Sequence, residues 1–192
     1  MKIVSMLILI MITLLGCGNN AKVNAKNQTK KVEVEKTESS KVAEVKLKQG
    51  IEEGNIIEDF PIYDLEGRKF YISDFKGKIV MLNFWATWCP PCRAEMPSME
   101  ELYREGNEDI FEIIAVSVDS KPVGEVKSFI SESGYSFPIY YDKNDSLSQK
   151  FAVRSIPTTY LIDGKGIIRQ KFLGSSDWSK LNVKALSKEW EK

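Results

Sequence analysis

Histidine is missing from the 192 residues altogether. The usual general base of Ser-His and Cys-His hydrolases is therefore gone, and those classes are excluded on inventory. Cysteine is scarce: Cys17, Cys89 and Cys92 are the whole supply. Three thiols are too few for a disulfide-rich scaffold. With no histidine and only the distant Cys17 in reserve, the 89/92 pair also lacks the further ligands that a zinc or iron–sulfur site requires. No charge dominates, because Lys+Arg and Asp+Glu number 27 each; that balance gives no field for a nucleic-acid partner. The apolar-dominated stretch Ile3–Leu15 is short for a membrane-spanning helix.

The informative stretch is Ile79–Glu95, Ile-Val-Met-Leu-Asn-Phe-Trp-Ala-Thr-Trp-Cys-Pro-Pro-Cys-Arg-Ala-Glu. Its apolar opening predicts a fully buried strand, and Met96, Met99 and Leu102 predict a helix after Cys92. Strand, C-x-x-C, helix is the context of a redox pair. A helix start supplies free N–H groups and a favourable dipole to a thiolate, the nucleophile of disulfide exchange. Cys89 is thus expected to be held ionised and open to attack, with Cys92 one turn behind it.

Around this centre the chain divides into three. Residues 1–17 carry Lys2, an apolar core and the ending Leu14-Leu15-Gly16-Cys17, which resembles a bacterial lipobox; Cys17 is the expected lipidation site. Residues 18–50 are polar and lack aromatics, as in a disordered tether. Residues 51–192 hold the folded domain. Two short strands about Glu66-Gly67 precede the buried strand. Pro97 should kink the helix after Cys92. A second core strand covers Ile110–Val118, a helix starts at Pro122 and ends at Gly134, and a short strand and helix follow over 137–151. Pro157 opens a strand, Asp163–Gly166 is a hairpin turn, and Ile167–Leu173 returns. Ser176 or Asp177 is expected to cap one last helix carrying Trp178, Leu181, Val183, Leu186 and Trp190. The order predicts an α/β domain with a mixed sheet covered on both faces.

These elements, around Trp-Cys-x-x-Cys and a late Ile156-Pro157-Thr158, resemble the thioredoxin fold. More narrowly, the chain is similar to the membrane-tethered thiol–disulfide reductases of the TlpA/ResA group, with an added N-terminal hairpin and an insertion in the middle. The resemblance implies that Cys89 is an exposed nucleophile and Cys92 the resolving cysteine. It implies that Trp88 shields the site, that Pro157 is a cis-proline and that Ile156 pairs with substrate, with Pro90 and Pro91 in the same surface. Glu95 matches an acid that tunes cysteine protonation; its bland reading is a surface glutamate beside Arg93. Thioredoxin has a buried aspartate where this chain has Asn83, which cannot carry a proton.

The function expected is extracytoplasmic reduction of protein disulfides by a lipid-anchored, monomeric enzyme. It would need no cofactor or metal. A membrane thiol reductant would supply electrons, and apocytochrome c is a substrate by family analogy. Two alternatives stand beside it: a thiol peroxidase, although Ala86 occupies the place of the peroxiredoxin threonine and Thr87 comes one position late, and a non-enzymatic binding lipoprotein.

Overall fold

The computed structural model describes residues 47–190. The expected signal segment, Cys17 and nearly all of the expected tether lie outside these residues. Among the described residues no helix is long and apolar enough to cross a membrane. Ordered contacts begin just before the expected boundary, since the Ile56 N–H donates to the Lys48 carbonyl at 2.9 Å.

Strands β1 (Pro61–Tyr63) and β2 (Lys69–Tyr71) form the anticipated antiparallel hairpin. Strand β3 (Ile79–Trp85) leads into α1 (Pro90–Glu105). Then come β4 (Phe111–Ser117), α2 (Val123–Ser133), β5 (Ile139–Tyr141), α3 (Ser146–Lys150), β6 (Thr158–Ile162), β7 (Ile168–Leu173) and α4 (Val183–Trp190). The main sheet has the order β5-β4-β3-β6-β7. The β3–β4 and β4–β5 pairs are parallel, and β6 runs antiparallel to β3 and β7. This is a mixed-sheet, thioredoxin-like α/β fold.

Strand β3 is buried throughout because it lies between two cores, so its sequence does not alternate. Side chains still alternate in direction. Ile79, Met81 and Trp85 join the core beneath α1, with Met96, Met99 and Leu102 of that helix. Val80, Leu82 and Phe84 face the opposite core, which Phe60 and Ile62 of the hairpin region share with Leu147 and Phe151. This parity sends Asn83 to the α1 side, the one polar residue in an apolar row.

Helix α1 runs on across Pro97 as one element. One element differs from expectation. The single C-terminal helix is instead a 3₁₀ turn, Trp178–Lys180, followed by α4. Leu181 is extended between them, and the Asn182 Oδ1 accepts the Ala185 N–H at 2.9 Å, so an asparagine restarts the helix. The Asp177 side chain makes no cap.

Phe151 is 1% exposed, and its ring lies 5.3 Å from Phe60, 5.3 Å from Phe84 and 5.2 Å from Tyr160. Phe151→Ala should cost about 3–5 kcal/mol in a denaturant titration. A loss below about 1 kcal/mol would mean that this aromatic cluster does not hold the second core.

Candidate active site

Two consecutive prolines at the first two positions of α1 decide how the helix begins. Neither has an N–H, so the first free donors belong to Cys92 and Arg93. Both go to Cys89, the N-cap: Cys92 N–H donates to its Sγ at 3.2 Å and Arg93 N–H to its carbonyl at 3.1 Å. The Sγ of Cys89 is thus the acceptor at a helix N-terminus, the place where a negative sulfur is favoured. Cys89 and Cys92 are joined as a disulfide with their Cα atoms 5.3 Å apart.

The Sγ of Cys89 also lies 3.7 Å from the carbonyl oxygen of Ile156, and the Ile156–Pro157 peptide is cis. Pro157 is buried and Ile156 half-buried. The Gly174 N–H donates to the Pro157 carbonyl at 2.9 Å, tying this loop to the end of β7. The structure therefore brings Cys89, Cys92, Ile156 and Pro157 together.

One expectation is corrected. Cys89 is 3% exposed, not open. In the disulfide its side chain turns back over the first turn of α1 toward Cys92, and the Ile156 loop covers it from the other side. The exposed groups around the pair are Pro90, Pro91 and Trp88, and Trp88, expected to act as a shield, is itself 59% exposed. It presents an apolar surface to solvent.

Glu95 is not a surface residue. It falls on the inward stripe of α1 with Cys92, Met96 and Met99 and is 2% exposed. Its Oε1 accepts from Asn83 Nδ2 at 2.9 Å; its Oε2 accepts from the Trp178 indole N–H at 3.0 Å and the Ser176 N–H at 3.1 Å. Burial pushes the Glu95 carboxyl above the ordinary glutamate value, opposed by the bonds from Trp178, Ser176 and Asn83. Glu95 is also among the residues lining an open cleft of about 350 Å³, with Ser98, Ser176 and Asp177.

Sequence reasoning missed three supports. The sequence places Trp178 on a helical stripe and Ser176 at a cap, yet both donate to Glu95. Asp119, 3% exposed and two residues past the end of β4, accepts from the Thr87 N–H at 3.0 Å, the Thr87 hydroxyl at 2.6 Å and the Ser117 hydroxyl at 2.7 Å. It anchors the loop that carries Trp88 and Cys89. The one available signal is an aspartate just after a mostly apolar strand. Among the described residues no group of three or more His, Cys, Asp or Glu could hold a metal ion.

The raised Glu95 value has a direct consequence for stability. The folded state holds the Glu95 proton more tightly than the unfolded chain, so this group favours folding below the ordinary value of 4.5 and loses that benefit as pH rises through its folded midpoint. Glu95→Gln cannot titrate. Urea titrations from about pH 4 to pH 8 should show variant-minus-parent stability moving in the variant's favour as pH rises. A flat difference would contradict the assignment.

Comparison with known proteins agrees with this geometry. Residues 54–171 match the model of the AhpC/TSA family. A thiol–disulfide oxidoreductase ResA from Bacillus thuringiensis is 40% identical over 127 residues, covering 66% of this chain and 73% of that protein. The crystal structure of StoA from Bacillus subtilis superposes with a TM-score of 0.56 at 29% identity, covering 70% of this chain and 97% of that one. The exposed lipoprotein thioredoxin Etrx1 of Streptococcus pneumoniae gives a TM-score of 0.56 at 27% identity, covering 70% and 98%. With its redox pair on a thioredoxin-like sheet, this chain belongs to the AhpC/TSA family and is a thiol–disulfide oxidoreductase of the ResA and StoA type.

Proposed function

We propose that the protein is a lipid-anchored reductase of protein disulfides on the extracytoplasmic side of the membrane, attached through Cys17. The observation that carries the catalytic part is the Cys89 sulfur at the start of α1, accepting the Cys92 N–H and facing the carbonyl beside a cis-proline. In the reduced enzyme the Cys89 thiolate attacks one sulfur of a substrate disulfide. A Cys89–substrate bond forms, and the other substrate sulfur leaves with the electron pair and takes a proton. Cys92 then gives up its proton, attacks Cys89 and expels the first substrate sulfur, which is protonated in turn. The substrate has gained two electrons and two protons, and the Cys89–Cys92 disulfide has formed.

Glu95 is the acid–base group of this cycle. It is buried on the stripe that holds Cys92, its proton affinity is raised, and it is one of the residues lining an open cleft. The Ile156 backbone, held by the buried Pro157, aligns an extended substrate, and the exposed Trp88, Pro90 and Pro91 form the surface it rests on. A membrane thiol reductant returns the pair to the dithiol by the same exchange. The lipobox-like ending at Cys17 supports the anchor, as does the likeness to a pneumococcal lipoprotein thioredoxin. Disulfides persist outside the cytoplasm, where a reductant needs such a dedicated supply. Apocytochrome c is the first substrate to test.

The peroxidase reading is weakened by a specific contact: the Thr87 hydroxyl donates to Asp119, not to Cys89. Cys89→Ser should abolish reduction of a model protein disulfide, and Cys92→Ser should trap a mixed disulfide on Cys89 that mass spectrometry of membrane fractions identifies. Retained reduction in the first variant, or rapid peroxide consumption by the reduced parent, would end this proposal. Cys17→Ala should release the protein from the membrane fraction; unchanged fractionation would remove the anchor.

A further inference from the structure

The Asn83 side chain is fully committed at one end and empty at the other. Its amide nitrogen uses both hydrogens, one to Glu95 Oε1 at 2.9 Å and one to Thr159 Oγ1 at 2.8 Å. Its Oδ1, equally buried, has no partner. An orphaned buried acceptor is uncommon in a folded protein and costs free energy.

The surroundings of Glu95 give that orphan a purpose. All three groups that contact the carboxyl oxygens are donors: Asn83 Nδ2, the Ser176 N–H and the Trp178 indole N–H. That set suits a carboxylate and confronts a neutral carboxylic acid, whose O–H needs an acceptor. Two of the donors are fixed, one in the backbone and one in an indole. The third is a primary amide, which can present its oxygen after a half-turn of its terminal torsion.

We propose that the Asn83 amide reverses when Glu95 takes up a proton, so that Asn83 is a positioning residue for both protonation states of the acid. This rests on the acid–base role given to Glu95 above. In the reversed state Oδ1 accepts from the Glu95 hydroxyl and from the Thr159 hydroxyl, filling its two lone pairs. The nitrogen moves into the place that Oδ1 now occupies without a partner. Each orientation makes two hydrogen bonds and leaves one end bare, which keeps the two states close in energy. Thr159 serves in both, because a hydroxyl can accept or donate. An aspartate at position 83 would add a second buried carboxyl, whereas the amide answers the proton without binding one.

Among the described residues no other titratable group competes at this contact. On α1, Cys92 is held in the disulfide; β3 and β6 contribute Asn83 and Thr159, and the C-terminal segment contributes Ser176 and Trp178. Glu101 and Asp177 line the same cleft, and Asp177 is paired with Lys180 at 2.8 Å.

The test is solution NMR of the oxidised protein with labelled asparagine and glutamate. The Glu95 side-chain carbon shift reads its midpoint, and nuclear Overhauser contacts from the Asn83 amide protons to the Thr159 and Glu95 side chains read the orientation. Those contacts should be strong above the midpoint and lost below it. In Glu95→Gln they should be absent at every pH, because Ser176 and Trp178 require the oxygen of the new amide and leave its nitrogen facing Asn83. Asn83→Leu should move the Glu95 midpoint by less than about half a pH unit, since support for both states is removed together. Contacts that persist on both sides of the midpoint and in Glu95→Gln, with an upward move of about one to two pH units in Asn83→Leu, would establish a fixed donor and overturn the inference. A Glu95 that shows no midpoint would instead defeat its acid–base role, and the Glu95→Gln spectrum would still decide whether the amide turns.

Discussion

A single carboxyl group with no counter-ion among the described residues sets the terms for the centre of this molecule. Glu95 lies inside the core, where an isolated charge is costly, and the fold answers with three hydrogen bonds rather than a cation. Those donors come from distant parts of the chain: Asn83 from the central strand, Ser176 and Trp178 from the segment after β7. The 3₁₀ turn at Trp178 is what the acid requires. It delivers an indole N–H, and a backbone N–H two residues earlier, to the same oxygen. Trp178 N–H also donates to the Ser98 hydroxyl at 3.1 Å, and that hydroxyl donates to the Glu95 carbonyl at 2.7 Å, so the helix backbone around the acid is held as well.

The sulfur pair depends on a second economy of donors. Prolines 90 and 91 strip the helix start of two N–H groups, and the next two both serve Cys89. Asp119 fixes the approach to that start by gripping Thr87 through two bonds, and the cis Ile156–Pro157 loop closes over it. The resulting disulfide is shielded more than a bare C-x-x-C suggests. The solvent-facing apolar surface belongs to Trp88 and the two prolines, not to the sulfur.

Much of this was legible in the residue order. The apolar run of β3, the thiol pair after it, the Met96–Met99–Leu102 stripe, the proline before β6 and the Asp-Gly-Lys-Gly hairpin all carry local signals, and each element formed near its expected place. The C-terminal helix did not, because Trp178 and Leu181 carry a helical spacing whose first member is recruited to Glu95 while Asn182 caps a new start. The alternative of a surface Glu95 falls because Arg93 and Glu95, two residues apart, lie about 200° apart round the helix, which turns one outward and the other in.

The sequence by itself determined the chemistry: which atoms can exchange disulfides, that no histidine assists them, and that they stand at a strand-to-helix junction. Periodicity and turn residues act over a few positions, so they are readable without the fold. Only the tertiary structure decided how the acid is held, which amide faces it and how far the first sulfur is covered. Those outcomes depend on groups 12 to 83 residues apart meeting within hydrogen-bond distance, and no local pattern encodes which donor will arrive.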